Sequence, residues 1–476
     1  MFRALSRSIS RTIVTILHDQ LQGLIQSDWT GHETLRTRHV EVGSGALSFI
    51  PDWLHAHRPE AVDLIVADET THDVAGIQLA TMLGDLGRSV RVVIIDPKSG
   101  DDHLVCEDGA IESLKTFLKL SDKLHPIAVG SGTVNDIVKM AAHQLNRPYI
   151  AVPTAASMNG YTSAIAAVLS KGVKRTLPAA QPEAIFADID IIRRAPNVMA
   201  QAGFGDLLSK PFSHADWLLS HLIRDVPYSG DAARLLDDAF ELLMTNADGV
   251  GSQSESAMTI LMETLLLSGF SMAMAGTSSP ASGGEHLISH YWDMERHCQE
   301  RPLRALHGTQ VGIATRLSSM LFAHLMALEE LTIPEITLTA DANLFTTLKA
   351  VHPRLTSAVV EEIHDQWNAK QRRGEALRDE LTLVQKRWGD IRRQLSPLLL
   401  SPAEITDALR RAGCSTRSSE IGVHQDELVR TLQVCRHIRS RYVALDLMAD
   451  LALLGPWSEE IARRSEIDDQ TMERAS

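Results

Sequence analysis

Short apolar runs recur through the first 190 or so residues, each stopped by a polar residue, a glycine or a proline. Val62–Ala67 ends at Asp68 and Val90–Ile95 ends at Asp96. Pro126–Val129 is stopped by Gly130, Tyr149–Val152 by Pro153, and Ile185–Ala187 with Ile189 suggests a fifth run. Continuous β-branched runs of this length read as strands buried on both faces. Helical patterns fall between them, at Asp73–Leu86 and Asp136–Leu145. That alternation predicts a parallel sheet covered by helices. After about Arg194 the β-branched runs give way to helical periodicity over Asp231–Asn246, Ser256–Ala275, Gly308–Leu328, Pro353–Leu381 and Asp426–Leu454. Within this half, Gln366–Arg393 alternates charged residues with Leu and Trp and reads as one or two solvated helices. The expected architecture is an α/β domain with a parallel sheet over residues 1–192, followed by an all-helical domain over residues 193–476.

Composition narrows the function classes. The chain has 476 residues, 44% hydrophobic and 22% charged, which suits two or three folded domains and excludes wholesale disorder. The net charge of −14, from 46 basic and 60 acidic residues, argues against a nucleic-acid partner. Four scattered cysteines form no CxxC pair, so neither a zinc ribbon nor a disulfide framework is expected; a reducing, cytoplasmic setting fits. Polar or charged residues interrupt every apolar stretch, so no membrane span is expected. Met1–Ser10 carries Arg3 and Arg7 with several serines, a composition permitted in a mitochondrial transit peptide. Phe2, Leu5, Ile9, Ile13 and Ile16 recur at helical spacing, and the amphipathic helix is the reading adopted. The apolar helices of the second half are candidates for a subunit interface, which leaves a homo-oligomer open.

Three stretches at strand ends carry candidate chemistry. Gly130, Ser131, Gly132, Thr133, Val134, Asn135 and Asp136 follow one apolar run and open a helical pattern. A strand–glycine turn–helix can hold an anion, because the glycines let backbone approach a phosphate and the helix N-terminus points N–H groups at it. The spacing is neither GxGxxG nor a Walker loop, and a ligand-free turn reads equally well. Asp68 ends the first run, where an acidic residue can accept hydrogen bonds from an adenosine ribose and repel a 2′-phosphate; it can equally cap the following helix. Thr154 and Ser157 follow the fourth run and place small hydroxyl side chains at the same edge.

In the helical half, His286 and His290 are four apart and share a helix face. His307 lies downstream in Leu306–Gly312, and Asp206 upstream in Gly203–Lys210. One carboxylate and two imidazoles make a Zn²⁺-type donor set with positions left for substrate. Among 20 histidines, a structural pair is the competing reading. A divalent ion in such a set would act as a Lewis acid on a carbonyl or alcohol oxygen during hydride transfer to or from a nicotinamide.

Taken in order, the motifs VADETTHDVAG, GSGTVND, PTAASMNGYTSA, FADIDII, GFGDLLSK, SGGEHLISH and LHGTQVG resemble the sn-glycerol-1-phosphate dehydrogenase family. That family sits within the superfamily of iron-containing alcohol dehydrogenases, glycerol dehydrogenase and dehydroquinate synthase. The likeness runs from about Val42 to about Leu454 and includes Arg441–Leu447. It implies a dehydroquinate synthase-like architecture, with an N-terminal dinucleotide-binding domain and a helical metal- and substrate-binding domain. It implies NAD(P), one divalent ion per subunit (zinc, with nickel or iron as alternatives), and a phosphorylated polyol or ketone substrate. The activity implied is interconversion of dihydroxyacetone phosphate and sn-glycerol 1-phosphate, within phospholipid metabolism. By likeness, Asp68 holds the ribose, residues 130–136 cradle the pyrophosphate, and Thr154, Ser157 and Ser163 line the cofactor. Asp206, His286 and His307 match the metal ligands, Asp206 also lies toward substrate, and His290 matches a substrate-contacting histidine.

One position departs from the family pattern. Asn159 stands where members commonly carry Asp, so a group able to accept substrate hydroxyls and carry a proton becomes a neutral amide. Asn159 is nonetheless placed with Asp206 and His290 in the catalytic group. Lys174, Arg175 and Lys210 are cationic candidates for a phosphate, and each also reads as an ordinary charge. The departure keeps open another polyol or alcohol dehydrogenase and a non-catalytic cofactor-binding relative, and a dehydroquinate synthase-like lyase is a further alternative.

Overall fold

A computed structural model describes residues 17–27, 35–97, 104–170, 173–336 and 344–467. The N-terminal pattern over Phe2–Ile16 lies outside the described residues. By internal contact the chain forms two compact units, Met1–Leu207 with Asp231–Ser278, and Leu208–Gly230 with Ser279–Ser476. Strand-rich sequence gives way to helices close to residue 192, but the units follow packing rather than a single cut, and residues 193–207 and 231–278 join the first unit.

Eight strands are present among the described residues of the first unit: β1 His39–Gly43, β2 Val62–Ala67, β3 Val90–Ile94, β4 Leu124–Gly130, β5 Ile150–Pro153, β6 Ile165–Ser170, β7 Val173–Pro178 and β8 Ala184–Asp188. Six form one parallel sheet in the order β1-β8-β5-β4-β2-β3. Strands β4, β5 and β8 are buried along their whole length, and β2 is buried after its first residue. This is the two-sided burial that their unbroken apolar character predicts. At the sheet edge, β3 is partly exposed. One face packs Ile65, Ile127, Val129, Ile150, Val152 and Phe186 against Leu79, Leu83 and Leu54. Each such side chain contributes about 1.5–3 kcal/mol on leaving water.

The sheet also contains what the apolar runs do not reveal. β1 has only two buried residues, Val40 and Val42, alternating with partly exposed neighbours. The antiparallel hairpin β6–β7, paired from Ile165 with Pro178 to Ser170 with Val173, is likewise only half buried in β6. A second correction concerns membranes. Glu255–Ala275 is long and apolar enough to cross a bilayer by length and composition, and its apolar window is wholly buried. It is a core helix whose buried Glu263 lies 3.7 Å from the His18 imidazole.

Strand direction defines where a ligand sits. From β2 the chain winds outward to β3, whereas β4 returns to the other side of β2 and continues to β5. The reversal falls between β2 and β4, and open parallel sheets bind ligands at the carboxyl ends of the strands flanking such a point. Asp68 follows β2 directly, and Gly130 ends β4.

The second unit is helical, with no strand among its described residues. Two expected helices are broken. Pro353–Leu381 becomes Ser357–Lys370 and Gly374–Leu395, and Gly374 sits at φ +54°, outside helical space. Asp426–Leu454 becomes Gln425–Val434, a 3₁₀ turn at Cys435–Ile438, Ala444–Asp450 and the start of Leu454–Arg464. A buried relay lies here: Tyr291 Oη to His352 Nδ1 at 3.0 Å, and His352 Nε2 to His437 Nδ1 at 3.1 Å. Burial, with the charge of Arg430 behind it, pushes His352 down to about 4. The unfolded chain therefore takes up a proton here before the native state does. Stability from this group is full above its ordinary value of 6.5 and falls by about 3 kcal/mol as pH drops to 4. Urea titrations at stepped pH should show that acid limb, and His352→Gln should reduce it without removing it, because burial holds His437 low as well.

Candidate active site

In the first unit the glycine turn is shaped by lack of room. A Cβ at Gly130 would lie 2.6 Å from Val134 Cβ, and one at Gly132 would lie 3.2 Å from Met158 Cγ. Ser131 sits at the N-cap in extended backbone, and the helix Gly132–Gln144 runs on from it. The N–H groups of its first turn therefore emerge at the carboxyl edge of β4, beside the switch point. Gly130, Ser131, Gly132 and Thr133 supply that edge. Val134 and Asn135 are buried, and Asn135 Nδ2 reaches Asp136 Oδ1 at 3.3 Å. The Asp136 carboxylate faces the protein: it accepts from Ala167 N at 3.1 Å and lies 3.6 Å from Lys139 Nζ.

Asp68 caps its helix, accepting from Thr71 N at 2.7 Å while its own N–H donates to Thr71 Oγ1 at 3.1 Å. The capping geometry uses Oδ1 and holds the carboxylate at the end of β2. Thr154 is buried after β5, with its N–H 3.3 Å from Gly130 O, and Ser157 is partly buried. Ser163 is buried, and its hydroxyl lies 2.9 Å from both Gly160 O and Ile165 O and 3.3 Å from Lys139 Nζ.

Asp206 is buried on the helix Asn197–Leu208, and Asn159 holds it. Asn159 N donates to Asp206 Oδ2 at 3.3 Å, and Asn159 Nδ2 lies 3.4 Å from Oδ1 and 3.2 Å from Ser268 Oγ. An amide here donates to the carboxylate, where a second carboxylate would repel it. Asn159 thus meets both oxygens of the Asp206 carboxylate, one from its backbone and one from its side chain.

In the second unit three imidazoles cluster. His286 and His290 lie on the helix Gly284–Cys298, and His307 opens the helix His307–Ala327. Ring centroids are 5.2 Å apart for His286 and His307, 5.4 Å for His290 and His307, and 5.9 Å for His286 and His290. His286 Nδ1 is 2.8 Å from Glu285 Oε1, and His307 Nδ1 is 3.3 Å from Ser289 Oγ. With both Nδ1 atoms engaged, Nε2 is the nitrogen that would carry a metal, the arrangement that outer partners impose on ligating histidines.

The backbone before this helix is also tightly held. Gly283 N donates to Glu285 Oε1 at 2.7 Å, and Gly284 N to Asp216 Oδ2 at 2.7 Å. Burial, reinforced by Glu285, pushes Asp216 up to about 7. A Cβ at Gly283 would meet Asp216 Oδ2 at 2.6 Å. Lys210 is buried, with Nζ 3.2 Å from Ala281 O and 3.3 Å from Ser209 Oγ. Glu285, Ser268, Ser289 and Lys139 escaped the sequence reading. The first adjoins His286, and Lys139 stands three residues after Asp136, the spacing of a helical ion pair.

Residues 41–196 match the family described as iron-containing alcohol dehydrogenase. A glycerol dehydrogenase from Schizosaccharomyces pombe superposes with a TM-score of 0.56 at 15% identity, covering 91% of this chain and 92% of that one. A probable glycerol dehydrogenase from Sinorhizobium meliloti gives 0.55 at 16% identity, covering 89% and 98%. These define the class: the fold is that of the iron-containing alcohol and glycerol dehydrogenases. Among curated relatives, a glycerol-1-phosphate dehydrogenase [NAD(P)+] of Halalkalibacterium halodurans is 36% identical over 291 residues, 61% of this chain and 72% of its own length. Its counterpart in Bacillus subtilis is 37% identical over 289 residues, 60% and 72%. The chain belongs to the glycerol-1-phosphate dehydrogenase family.

Proposed function

We propose that this chain is a metal-dependent, NAD(P)-linked oxidoreductase acting on CH–OH groups, and that it interconverts dihydroxyacetone phosphate and sn-glycerol 1-phosphate. The observation that carries the reading is the imidazole cluster, two of whose members have Nδ1 already engaged. Asp206, His286 and His307 are a donor set suited to a divalent cation, zinc first, with nickel or iron accepted by the same ligand types. A cation there would supply Lewis-acid polarisation of the substrate oxygen, and NAD(P)H the hydride. In this reading the metal ligands all lie within residues 193–476 and the dinucleotide within residues 1–192.

The residues then divide the work. The N–H groups of the glycine turn hold the pyrophosphate, and Asp68 accepts from the ribose hydroxyls. Thr154 and Ser157 leave space for a flat ring at the end of β5. Asn159 keeps the Asp206 carboxylate oriented. His290, beside His307, is the group placed to hand a proton to the nascent alkoxide or to receive one from the alcohol. Sn-glycerol 1-phosphate formed in this way would enter phospholipid metabolism. The four cysteines form no disulfide, which supports a reducing, cytoplasmic setting.

A steady-state assay with dihydroxyacetone phosphate and either reduced cofactor tests the proposal, run with and without chelator. NADH or NADPH oxidation that chelation abolishes and zinc restores is the expected result. Faster turnover of unphosphorylated polyols would move the chain to another dehydrogenase of the superfamily, the alternative that Asn159 keeps open. Replacing Glu285 by Ala is expected to weaken metal binding about ten- to a hundredfold, because the His286 ring loses its orienting partner. Glu285→Gln, which retains an acceptor oxygen, should lose less. Competition with a chelating dye reads both, and equal affinity in Glu285→Ala and wild type would remove Glu285 from this role.

A further inference from the structure

Lys139 is fully buried in the helix that follows the glycine turn. Burial pushes its ammonium below the ordinary range, while Asp136 pulls the other way. A buried cation is costly unless its hydrogens are used, and these are. Nζ bonds Gly160 O, lies 3.0 Å from Ile165 O and 3.3 Å from Ser163 Oγ, and has Asp136 Oδ1 at 3.6 Å. Apart from Asp136, every partner belongs to the loop between β5 and β6, or to the start of β6. Asp136 reaches the same hairpin through Ala167 N at 3.1 Å.

That loop carries Asn159, which bonds Asp206 through both its backbone and its side chain. The loop also packs directly on the glycine turn and its helix: a Cβ at Gly132 would lie 3.2 Å from Met158 Cγ, and one at Gly160 would lie 3.9 Å from Asp136 Oδ1. A continuous series of contacts thus leads from the phosphate-facing turn, through Lys139, to Gly160, Asn159 and Asp206.

We propose that Lys139 is a positioning residue that sets the Asn159 loop against the cofactor turn, so that the cofactor cradle and the Asp206 carboxylate are held in fixed register. It touches neither cofactor nor substrate. The competing role is plain charge compensation, in which Lys139 only neutralises Asp136. The kinetic part of this inference rests on the dehydrogenase reading above.

Lys139→Met, Asp136→Asn and the double variant separate the two roles in the full-length protein. Three readouts are needed: thermal melting, NADH affinity by tryptophan quenching with steady-state kinetics, and hydrogen exchange of residues 159–165 without ligand. The double variant buries no unpaired charge and is expected to melt like wild type, so it carries the test even where Lys139→Met fails to fold. In it kcat should remain about a hundredfold low. NADH should bind about tenfold more weakly, KM for the ketone should change little, and residues 159–165 should exchange faster. Wild-type kcat, NADH affinity and exchange in the double variant would overturn the proposal and leave charge compensation. A wild-type protein that binds NADH but reduces no ketone would sink the catalytic reading alone, and affinity and exchange would still decide the role of Lys139. If wild type bound no NADH, unchanged exchange in the double variant would by itself overturn the proposal.

Discussion

Replacing His286 or His307 by alanine is expected to strip the divalent cation and abolish turnover together. Each imidazole is oriented through Nδ1, His286 by Glu285 at 2.8 Å and His307 by Ser289 at 3.3 Å, so each truncation removes a pre-aimed donor. Lewis-acid polarisation contributes several kcal/mol to stabilising the charge that develops on oxygen. Its loss should lower kcat/KM at least about a thousandfold. Metal analysis of the purified variants should show substoichiometric zinc, iron or nickel. Melting in the presence of chelator should no longer differ from melting without it. A variant with full metal content and full activity would remove that residue from the ligand set. His290→Ala should behave differently, keeping its metal while losing kcat, because His290 is read as a proton carrier and not a ligand.

Gly203→Ala is expected to damage both stability and activity, through packing alone. A Cβ there would lie 2.1 Å from Ala156 O and 3.2 Å from Leu265 Cδ1. Backbone cannot yield as a side-chain tip can, so the helix Asn197–Leu208 or the loop after β5 must move. Overpacking of this kind costs about 1–3 kcal/mol. One helical turn farther on the same helix carries Asp206, and the displaced loop carries Asn159. A shift of about 1 Å at a reacting centre can cost about a hundredfold in rate. Urea unfolding and kcat/KM measured on the same preparation should fall together, and wild-type values for both would show that the contact relaxes at no cost.

Much of the sheet was legible because burial on both faces writes a strand as an unbroken apolar run, as in Val62–Ala67 and Pro126–Val129. β1 was not, since only Val40 and Val42 turn inward and five residues at a sheet edge are too few to show a pattern. The β6–β7 hairpin escaped for a similar reason. Helix periodicity located Glu255–Ala275 and His307–Ala327 closely, but it did not mark Lys210–Arg224 or Pro402–Arg411 and missed the breaks at Gly374 and at Cys435–Ile438. Glu255–Ala275 has the length and composition of a bilayer span although Glu263 interrupts it, and its complete burial, with Glu263 3.7 Å from the His18 imidazole, marks it as a core helix.

At the site, local spacing placed His286 and His290 on one helix face, and the structure puts them there with ring centroids 5.9 Å apart. Their convergence with His307 joins two helices and is not encoded in any short window; the resemblance of the ordered motifs supplied it. Asn159 was visible as a departure from the family, but its meaning was not. Its partner Asp206 is 47 residues away, and only the fold shows that the amide serves the carboxylate. Asp68 shows the opposite case. Its capping bond was readable from neighbouring residues, and the same bond fixes the carboxylate at the carboxyl end of β2.

The proposed metal site draws on three side chains far apart in sequence, Asp206, His286 and His307. Diffraction data collected at the absorption edge of the bound metal, from crystals of the protein with NAD(H), test it most directly. A single strong anomalous peak is predicted about 2.0–2.2 Å from an Asp206 oxygen and from Nε2 of His286 and His307. A peak elsewhere, or none in crystals of active protein, would contradict it.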